Sequence, residues 1–371
     1  MVHQGIYKDD EATDQRFLRN SFIQMSDIYR LKKEIDAETT QLHRDDGQST
    51  HAWVEQLEHQ GALLGFKAVT DPIPIGSKLM PETFSLMVQT KWQEKKFVEF
   101  GKHLLCIDAT HNTTVYENLN LMTLIVRDHW GHGIPVAWML ASSGTEETIV
   151  YFLKLVSLRS PSLSVSLITS DWDFAQINAC RLAWGSASIL LCWWHVLHAW
   201  QQHFRIGDHP AVWEMLKKWI CITDPVDFDK LWLEIKAQSP ETLTAYLEKH
   251  WLPQKYKVMW SAVYRTGRTI FENCDTNMLV EAWHHVLKGK FLHSKRNHRM
   301  DHLLHCLVEE VLPYYRLKQA RQEAGFEGVD LEVAERIKIT ARTLKQCQKS
   351  DVKVVPFHES FTSRTPPHSL L

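Results

Sequence analysis

Two aspartates directly follow apolar runs of strand length. Asp108 comes after Leu104–Ile107, and Asp171 comes after Leu167–Ser170. An ionised carboxylate at the end of a buried strand is costly unless it is paired, hydrogen-bonded or bound to a metal. Two such acids on neighbouring strands could share divalent cations, an arrangement suited to phosphoryl transfer. Simpler interpretations stay open: Asp108 as a solvated or turn-capping residue, Asp171 as a helix N-cap, and Asp173 as the second acid instead of Asp171.

A third acid could come from a later helix packed beside the strands. Glu281 lies within the mostly apolar stretch Met278–Lys288, which Asp275 or Thr276 can cap at its start. Helical glutamates are usually solvated, so periodicity alone does not give Glu281 a role in chemistry.

A Cys-x-x-His spacing lies between the second aspartate and this glutamate. Cys192, His195 and His198 could supply three zinc ligands, with the two histidines on one helix face. A structural zinc site takes four ligands and no fourth is evident nearby, so we do not expect zinc. We expect Cys192 and His195 to support the floor of a catalytic site, and Trp193 and Trp194 to pack or to stack on an unpaired base.

The clearest basic cluster directly follows the helix of Glu281. The formal net charge of the chain is −2, so a surface that binds nucleic acid has to be local. This cluster could be a solvated face, but its position beside the acids favours contact with a phosphate backbone without reading of sequence. Its cationic residues are Lys288, Lys290, Lys295, Arg296 and Arg299.

Composition and cysteine usage limit the class of protein. Hydrophobic residues make up 44% and charged residues 23%, which is typical of a globular chain. The seven cysteines include no Cys-x-x-Cys pair, which favours a reduced, intracellular protein. No secretory signal is visible, and no run approaches the roughly 18 apolar residues that span a bilayer. We therefore expect a soluble protein without membrane contact.

The acids need a sheet to position them, and the pattern of apolar runs predicts one. Three strand-length runs are followed by helix, strand, helix, strand and helix, in the order β-β-β-α-β-α-β-α. This order predicts a mixed five-stranded sheet flanked by helices, and it is the order of the RNase H-like fold. The predicted strands are Leu104–Thr110, Leu119–Arg127, Ile134–Leu140, Val165–Thr169 and Ser188–Cys192.

The remaining segments divide the chain into five parts. Residues 1–99 are predicted to form a helical N-terminal region, including a helix from Pro81 to Phe97. The first part of the core covers 100–204, and a helical insertion covers 205–270. Closing helices with the third acid follow in 271–350, and 351–371 form a tail predicted to be disordered.

Four short motifs, taken together, resemble the Mutator-like (MULE) transposase domain over roughly residues 100 to 300. The resemblance implies an RNase H-like DDE fold in which Asp108, Asp171 and Glu281 are the catalytic, metal-binding acids. It also implies that Cys192 and His195 are the family's Cys-x-x-His signature. The motifs, in chain order, are Ile107-Asp-Ala-Thr110, Ile168-Thr-Ser-Asp171, Cys192-Trp-Trp-His195 and Thr276-Asn277 followed by Glu281.

The resemblance also implies an activity and its partners. These are Mg²⁺-dependent (or Mn²⁺-dependent) cleavage and strand transfer at transposon ends, a homo-oligomeric assembly on DNA and a nuclear location. The chain lacks the upstream Cys/His zinc module and the downstream SWIM-type finger of full-length members. Truncation, or a catalytically inactive DNA-binding or regulatory protein derived from a transposase, is therefore the alternative. A helical interaction module with Trp-rich surfaces is a third, weaker hypothesis.

Overall fold

A mixed seven-stranded sheet forms the centre of the protein in a computed structural model. The structure describes residues 23–265, 278–296 and 298–328, together with 334, 335, 337, 338, 341 and 342. The strands are β1 (Leu63–Lys67), β2 (Ser85–Val88), β3 (Leu105–Thr110), β4 (Asn120–Arg127), β5 (Gly133–Ala141), β6 (Leu167–Ser170) and β7 (Ser188–Leu191).

The strand order across the sheet is β1-β2-β5-β4-β3-β6-β7. Neighbouring strands from β1 to β3 in this order run antiparallel, whereas β3, β6 and β7 run parallel. The first and fourth of the five predicted strands, β3 and β6, therefore lie side by side, as the predicted topology requires.

Helices flank the sheet. Those N-terminal to β3 are α1 (Met25–Thr39), α2 (Asp46–His59) and α3 (Lys91–Phe100). Those interleaved with the later strands are α4 (Glu146–Arg159), α5 (Phe174–Ala183) and α6 (Trp193–Gln201). The remainder are α7 (Pro210–Ile220), α8 (Pro225–Gln238), α9 (Glu241–His250), α10 (Gln254–Trp260), α11 (Met278–Val286), α12 (Met300–His305) and α13 (Leu312–Glu323).

Two hydrophobic cores lie on opposite faces of the sheet. Side chains of a strand alternate between its faces, so Leu105 and Ile107 of β3 enter one core while Leu104 and Cys106 enter the other. The first core also contains residues of α3 to α10, and the second contains residues of α2 and α11 to α13. Asp108 comes two residues after Cys106, so its side chain points to the same face of the sheet, which α11 covers.

The predicted five-stranded sheet is wrong in its strand count, because residues 1–99 contribute two strands as well as helices. Ser85–Val88, expected within a helix from Pro81 to Phe97, pairs antiparallel with β5, and all four of its residues are buried. Leu63–Lys67 pairs with it in turn. The open edge of β5 supplies hydrogen bonds that outweigh local helix propensity. The helix begins only at Lys91, after a capping box between Thr90 and Gln93.

The predicted helical stretch from Pro210 to Tyr264 is confirmed by α7 to α10 and a short 3₁₀ turn (Ala262–Tyr264). Two π-helical turns (Leu287–Phe291 and Cys306–Val311) interrupt the later helices. Across the described residues, no helix has the length and apolar character needed to cross a membrane. The predicted tail 351–371, the motif residues Thr276 and Asn277, and most of residues 329–350 of the predicted closing helices lie outside the described residues.

Candidate active site

Strand register brings three of the predicted site residues to one level of the sheet. In the parallel pair of β3 and β6, Cys106 lies opposite Thr169. Continuing this register by two residues sets Asp108 opposite Asp171. In the parallel pair of β6 and β7, Ser170 lies opposite Leu191, so Asp171 is level with Cys192. The carboxyl ends of three adjacent parallel strands therefore carry an acid, an acid and a thiol, at the edge where α/β sheets bind ligands.

Asp108 is a buried carboxylate with little compensation for its burial. Its side chain is about nine-tenths buried, and its Oδ1 accepts a hydrogen bond from the backbone N–H of Ala109 at 2.7 Å. Burial and, next, the nearby charge of Asp171 raise the pKa of Asp108 to about 8. At neutral pH the pair therefore holds a proton, or needs a cation in its place.

Asp171 forms the centre of the cluster, with His195 as its direct partner. His195 Nδ1 lies 2.7 Å from Asp171 Oδ1, because His195 is one helical turn beyond the end of β7. Burial alone would lower the pKa of His195, but hydrogen bonds and charge from Asp171 and Cys192 raise it to about 10. Asp173 has a different role: its Oδ1 caps α5 by accepting from Ala175 N at 2.8 Å.

Glu281 reaches the cluster from α11. Its Oε1 accepts a hydrogen bond from the Cys192 thiol, with 3.7 Å between Oε1 and Sγ. The helix is held in position by Trp283, whose indole Nε1 donates to Thr123 Oγ1 at 3.1 Å. Thr123 is the cross-strand partner of Asp108 in β4. This hydrogen bond therefore fixes α11, which carries Glu281, against strands β3 and β4, the first of which carries Asp108.

Sequence reasoning missed the role of His284, which the structure places beside Asp108 together with the predicted Lys288. His284 is about nine-tenths buried, and its Nδ1 lies 3.6 Å from Asp108 Oδ2. Burial and, next, the charge of Lys288 lower the pKa of His284 to about 4, so His284 is neutral at physiological pH. Spacings of three and seven residues set His284 and Lys288 on the helix face of Glu281, a signal that the sequence does contain.

The residues of the basic cluster have different surroundings. Lys288, whose pKa is lowered by its own burial, is close enough to Asp108 to feel its charge. Lys290 lies over the ring of Tyr314, with 3.5 Å from Nζ to the ring centroid, while Lys295 and Arg296 are exposed.

Arg299 has internal partners instead. It donates to the backbone carbonyls of His43 and Arg44 and to the carboxylate of the fully buried Asp301, and it lies near Asp46. These contacts join the N-terminal helices to α12. That Arg299 contacts DNA stays a prediction, but its guanidinium already serves this internal junction.

A pocket of about 520 Å³ opens beside the acids. Asp108, Asp171 and His195 line it together with Trp172, whose ring stacks on Trp251 of the helical insertion at 4.3 Å between centroids. The insertion therefore supports one wall of the pocket from behind, through Trp172.

The two tryptophans of the Cys-Trp-Trp-His motif differ in environment. Trp193 is half-buried, and its Nε1 donates to the Trp260 carbonyl at 2.6 Å. Trp194 is 55% exposed and stacks on His198. Trp193 therefore packs, and Trp194 alone of the two presents its ring for stacking.

Oxygen donors and buried negative charge together fit a divalent cation. Two adjacent carboxylates, one with its pKa raised to about 8, gain the most from a cation that replaces their shared proton. Among the residues that the structure describes, none hydrogen-bonds to the Nε2 atom of buried His284, so a water or ligand atom can take that place. Hard oxygen ligands of this kind suit Mg²⁺ or Mn²⁺.

Comparison with known proteins identifies part of the chain. Residues 104–199 match the family model of the MULE transposase domain. The match covers three of the four motifs, with Asp108, Asp171, Cys192 and His195, and it confirms the resemblance over that stretch. No curated protein matches the chain.

Proposed function

We propose that the chain is a DDE-type transposase catalytic domain with an RNase H-like core, which cleaves DNA phosphodiesters and transfers strands. The observation that carries the proposal is the meeting of Asp108 and Asp171 on adjacent parallel strands, with Glu281 linked to them through Cys192. The strand order β5-β4-β3-β6-β7 supports the RNase H-like assignment, and β1 and β2 are an addition at its edge. The match of residues 104–199 to the MULE transposase domain supports the reaction class.

The proposed cofactor is Mg²⁺, or Mn²⁺ in its place. Asp108 and Asp171, with Glu281 as the third acid, are the residues that would hold it. When bound, such ions activate water and stabilise charge on the attacking and leaving oxygens of the scissile phosphate. Asp108 would gain from such an ion, because burial and the charge of Asp171 disfavour its ionised form.

The protein's own residues supply positioning and charge. His195 contacts Asp171 at 2.7 Å and orients its carboxylate. Neutral His284 covers Asp108 without adding a competing positive charge. Lys288 is close enough to both Asp108 and the exposed Arg296 to feel their charges, so a DNA backbone running over the π-helical turn would reach the acids.

The proposed partners and location follow from the domain similarity. We propose that the DNA substrate consists of transposon ends, that the chain acts there as a homo-oligomer, and that it works in the nucleus. The phosphate contacts proposed for Lys288, Lys290, Lys295 and Arg296 would hold DNA with little sequence preference. Replacing Lys295 and Arg296 by alanine is therefore expected to weaken binding of unrelated duplexes equally and to reduce its salt dependence.

A nicking assay on supercoiled plasmid tests the proposal. The wild-type chain is expected to nick DNA with Mn²⁺ or Mg²⁺ and not with EDTA, and Asp108→Asn and Glu281→Gln are expected to lose at least 100-fold in rate. Asp173→Asn is the matched control: it removes a neighbouring acid that caps a helix, and should keep its activity where the fold is kept. DNA binding without nicking by the folded wild-type chain would support the non-catalytic alternative and overturn the proposal.

A further inference from the structure

Asp171, Cys192 and His195 form a ligand cluster of a type that Mg²⁺ does not use. One ligand atom from each (a carboxylate oxygen, Sγ and a ring nitrogen) lies within 4.8 Å of the other two. A cysteine sulfur is a soft ligand, and with imidazole and carboxylate it selects Zn²⁺, Co²⁺ or Cd²⁺ over Mg²⁺. The cluster therefore has a metal preference different from that of the acids alone.

One further acid contacts this three-residue cluster at Cys192 and is the candidate fourth ligand. Glu281 Oε1 lies 3.7 Å from Cys192 Sγ. In a tetrahedral site with metal–ligand bonds of about 2.0–2.3 Å, ligand atoms are about 3.3–3.8 Å apart, so this pair already has the spacing. The contact of 2.7 Å between His195 and Asp171 has to open by about 0.6 Å to reach the same spacing, a small movement for two partly exposed side chains.

The clustered ligands differ from the Cys192, His195 and His198 set that the sequence spacing suggests. His198, which lies on the same helix face as His195, stacks on Trp194 and bonds to Gln201 instead. The strand ends supply Asp171 in its place, a residue that only the parallel register brings beside Cys192.

Burial gives the cluster an inner and an outer side. Cys192 is fully buried, whereas the side chains of Asp171 and His195 are 19% and 25% exposed and line the pocket. An ion can enter through the pocket and reach a thiol that is shielded from bulk oxidants. Binding releases two protons to solvent, one from the Cys192 thiol and one from the His195 imidazolium, since a thiolate and a neutral imidazole are the metal ligands.

We propose that Asp171, Cys192 and His195, with Glu281 drawn in from Cys192 as the fourth ligand, bind one thiophilic divalent ion, Zn²⁺ in the cell, which removes Asp171 and Glu281 from the Mg²⁺ site and so inhibits DNA cleavage. Zinc is here an inhibitor and not the working cofactor. The binding stands on the geometry of the cluster alone, while the inhibition rests on the proposed nuclease function.

Cobalt titration of the full chain tests the binding without any activity. Wild type with Co²⁺ is expected to show a thiolate-to-cobalt charge-transfer band that reaches its maximum at one equivalent and is lost on adding Zn²⁺. Cys192→Ser should lose the band, whereas Cys221→Ser, a change at an exposed cysteine, should keep it. If Cys192→Ser does not fold, His195→Gln serves instead, and its Co²⁺ affinity should fall at least tenfold. Absence of the band in wild type, or its persistence in folded Cys192→Ser, would overturn the proposal.

Zinc inhibition separates this proposal from the nuclease itself. With Mn²⁺ at a fixed excess, stoichiometric Zn²⁺ is expected to reduce wild-type nicking at least tenfold and to reduce the residual nicking of Cys192→Ser far less. If no variant nicks DNA, the proposed function fails while the cobalt band still decides the binding. A cobalt band together with undiminished nicking in Zn²⁺ would overturn the inhibitory role.

Discussion

Replacing Asp108 by asparagine should stabilise the protein while removing its activity. The pKa of Asp108 is about 8 in the folded chain, against 3.8 for an unperturbed aspartate, because of burial and the charge of Asp171. Between these pH values the folded state retains a proton that the unfolded state has lost, so wild-type stability falls as pH rises through this window. Asparagine has nearly the same shape and does not ionise, so Asp108→Asn escapes this loss.

The magnitude follows from the width of the window. Each pH unit is worth about 1.4 kcal/mol, so the advantage of Asp108→Asn should grow by about 2.7 kcal/mol from pH 5 to pH 7. Coupling to Asp171 shares the proton between two groups and makes this an upper value. The amide of the variant can still donate to Asp171, so no new unpaired group offsets the gain.

Urea unfolding in EDTA measures this difference. Wild type and Asp108→Asn are compared at pH 5, 6 and 7, and the titration of His284 cancels because both proteins contain it. Adding Mg²⁺ at 100 times its Kd should then stabilise wild type by about 2.7 kcal/mol and leave the variant unchanged. A variant that is less stable than wild type, or a difference that does not change with pH, would refute the account of Asp108 as a desolvated acid.

Three further changes test the supports of the site. Trp283→Phe should cost about 1–3 kcal/mol and slow nicking, because it leaves the Thr123 hydroxyl without its donor; urea unfolding and the plasmid assay measure both effects. As pH falls from 6.5 to 4, buried His284 stays neutral in the folded state while the unfolded state gains a proton, so His284 should cost the wild type up to about 3 kcal/mol and oppose the gain from Asp108, whereas His284→Gln should keep that gain. Arg299→Ala should cost about 3 kcal/mol by leaving the buried carboxylate of Asp301 without its guanidinium partner.

Each of these has a result that contradicts it. Unchanged stability in Trp283→Phe would mean that the indole bond does not hold α11. Equal acid sensitivity of wild type and His284→Gln would assign the loss to other groups. A drop in DNA affinity without a drop in stability for Arg299→Ala would move Arg299 from the internal junction to the DNA-binding surface.

The local sequence pattern was sufficient to predict that Asp108 and Asp171 lie on neighbouring strands. Asp108 and Asp171 each end an apolar strand-length run, and strand order makes those strands neighbours. The ambiguity between Asp171 and Asp173 could not be resolved by pattern, because both precede the same helix. The two side chains differ in direction: Asp173 turns back to cap α5, and Asp171 contacts His195.

Long-range contacts explain what the sequence could not show. The position of Glu281 depends on a bond between Trp283 and Thr123, which are 160 residues apart. The strand Ser85–Val88 exists because β5 offers it an edge, and no periodicity within those four residues distinguishes it from a helix. Arg299 resembles its basic neighbours in sequence, and only the fold brings Asp301 and two carbonyls to its guanidinium.

Mn²⁺ binding to the full-length chain tests the central claim most directly. Calorimetric titration of wild type at pH 7.5 should show Mn²⁺ bound at the acids, with affinity reduced at least 100-fold in Asp108→Asn and kept in Asp173→Asn. Equal Mn²⁺ affinity in wild type and folded Asp108→Asn would contradict the assignment of Asp108 and its neighbours as a metal-dependent catalytic centre.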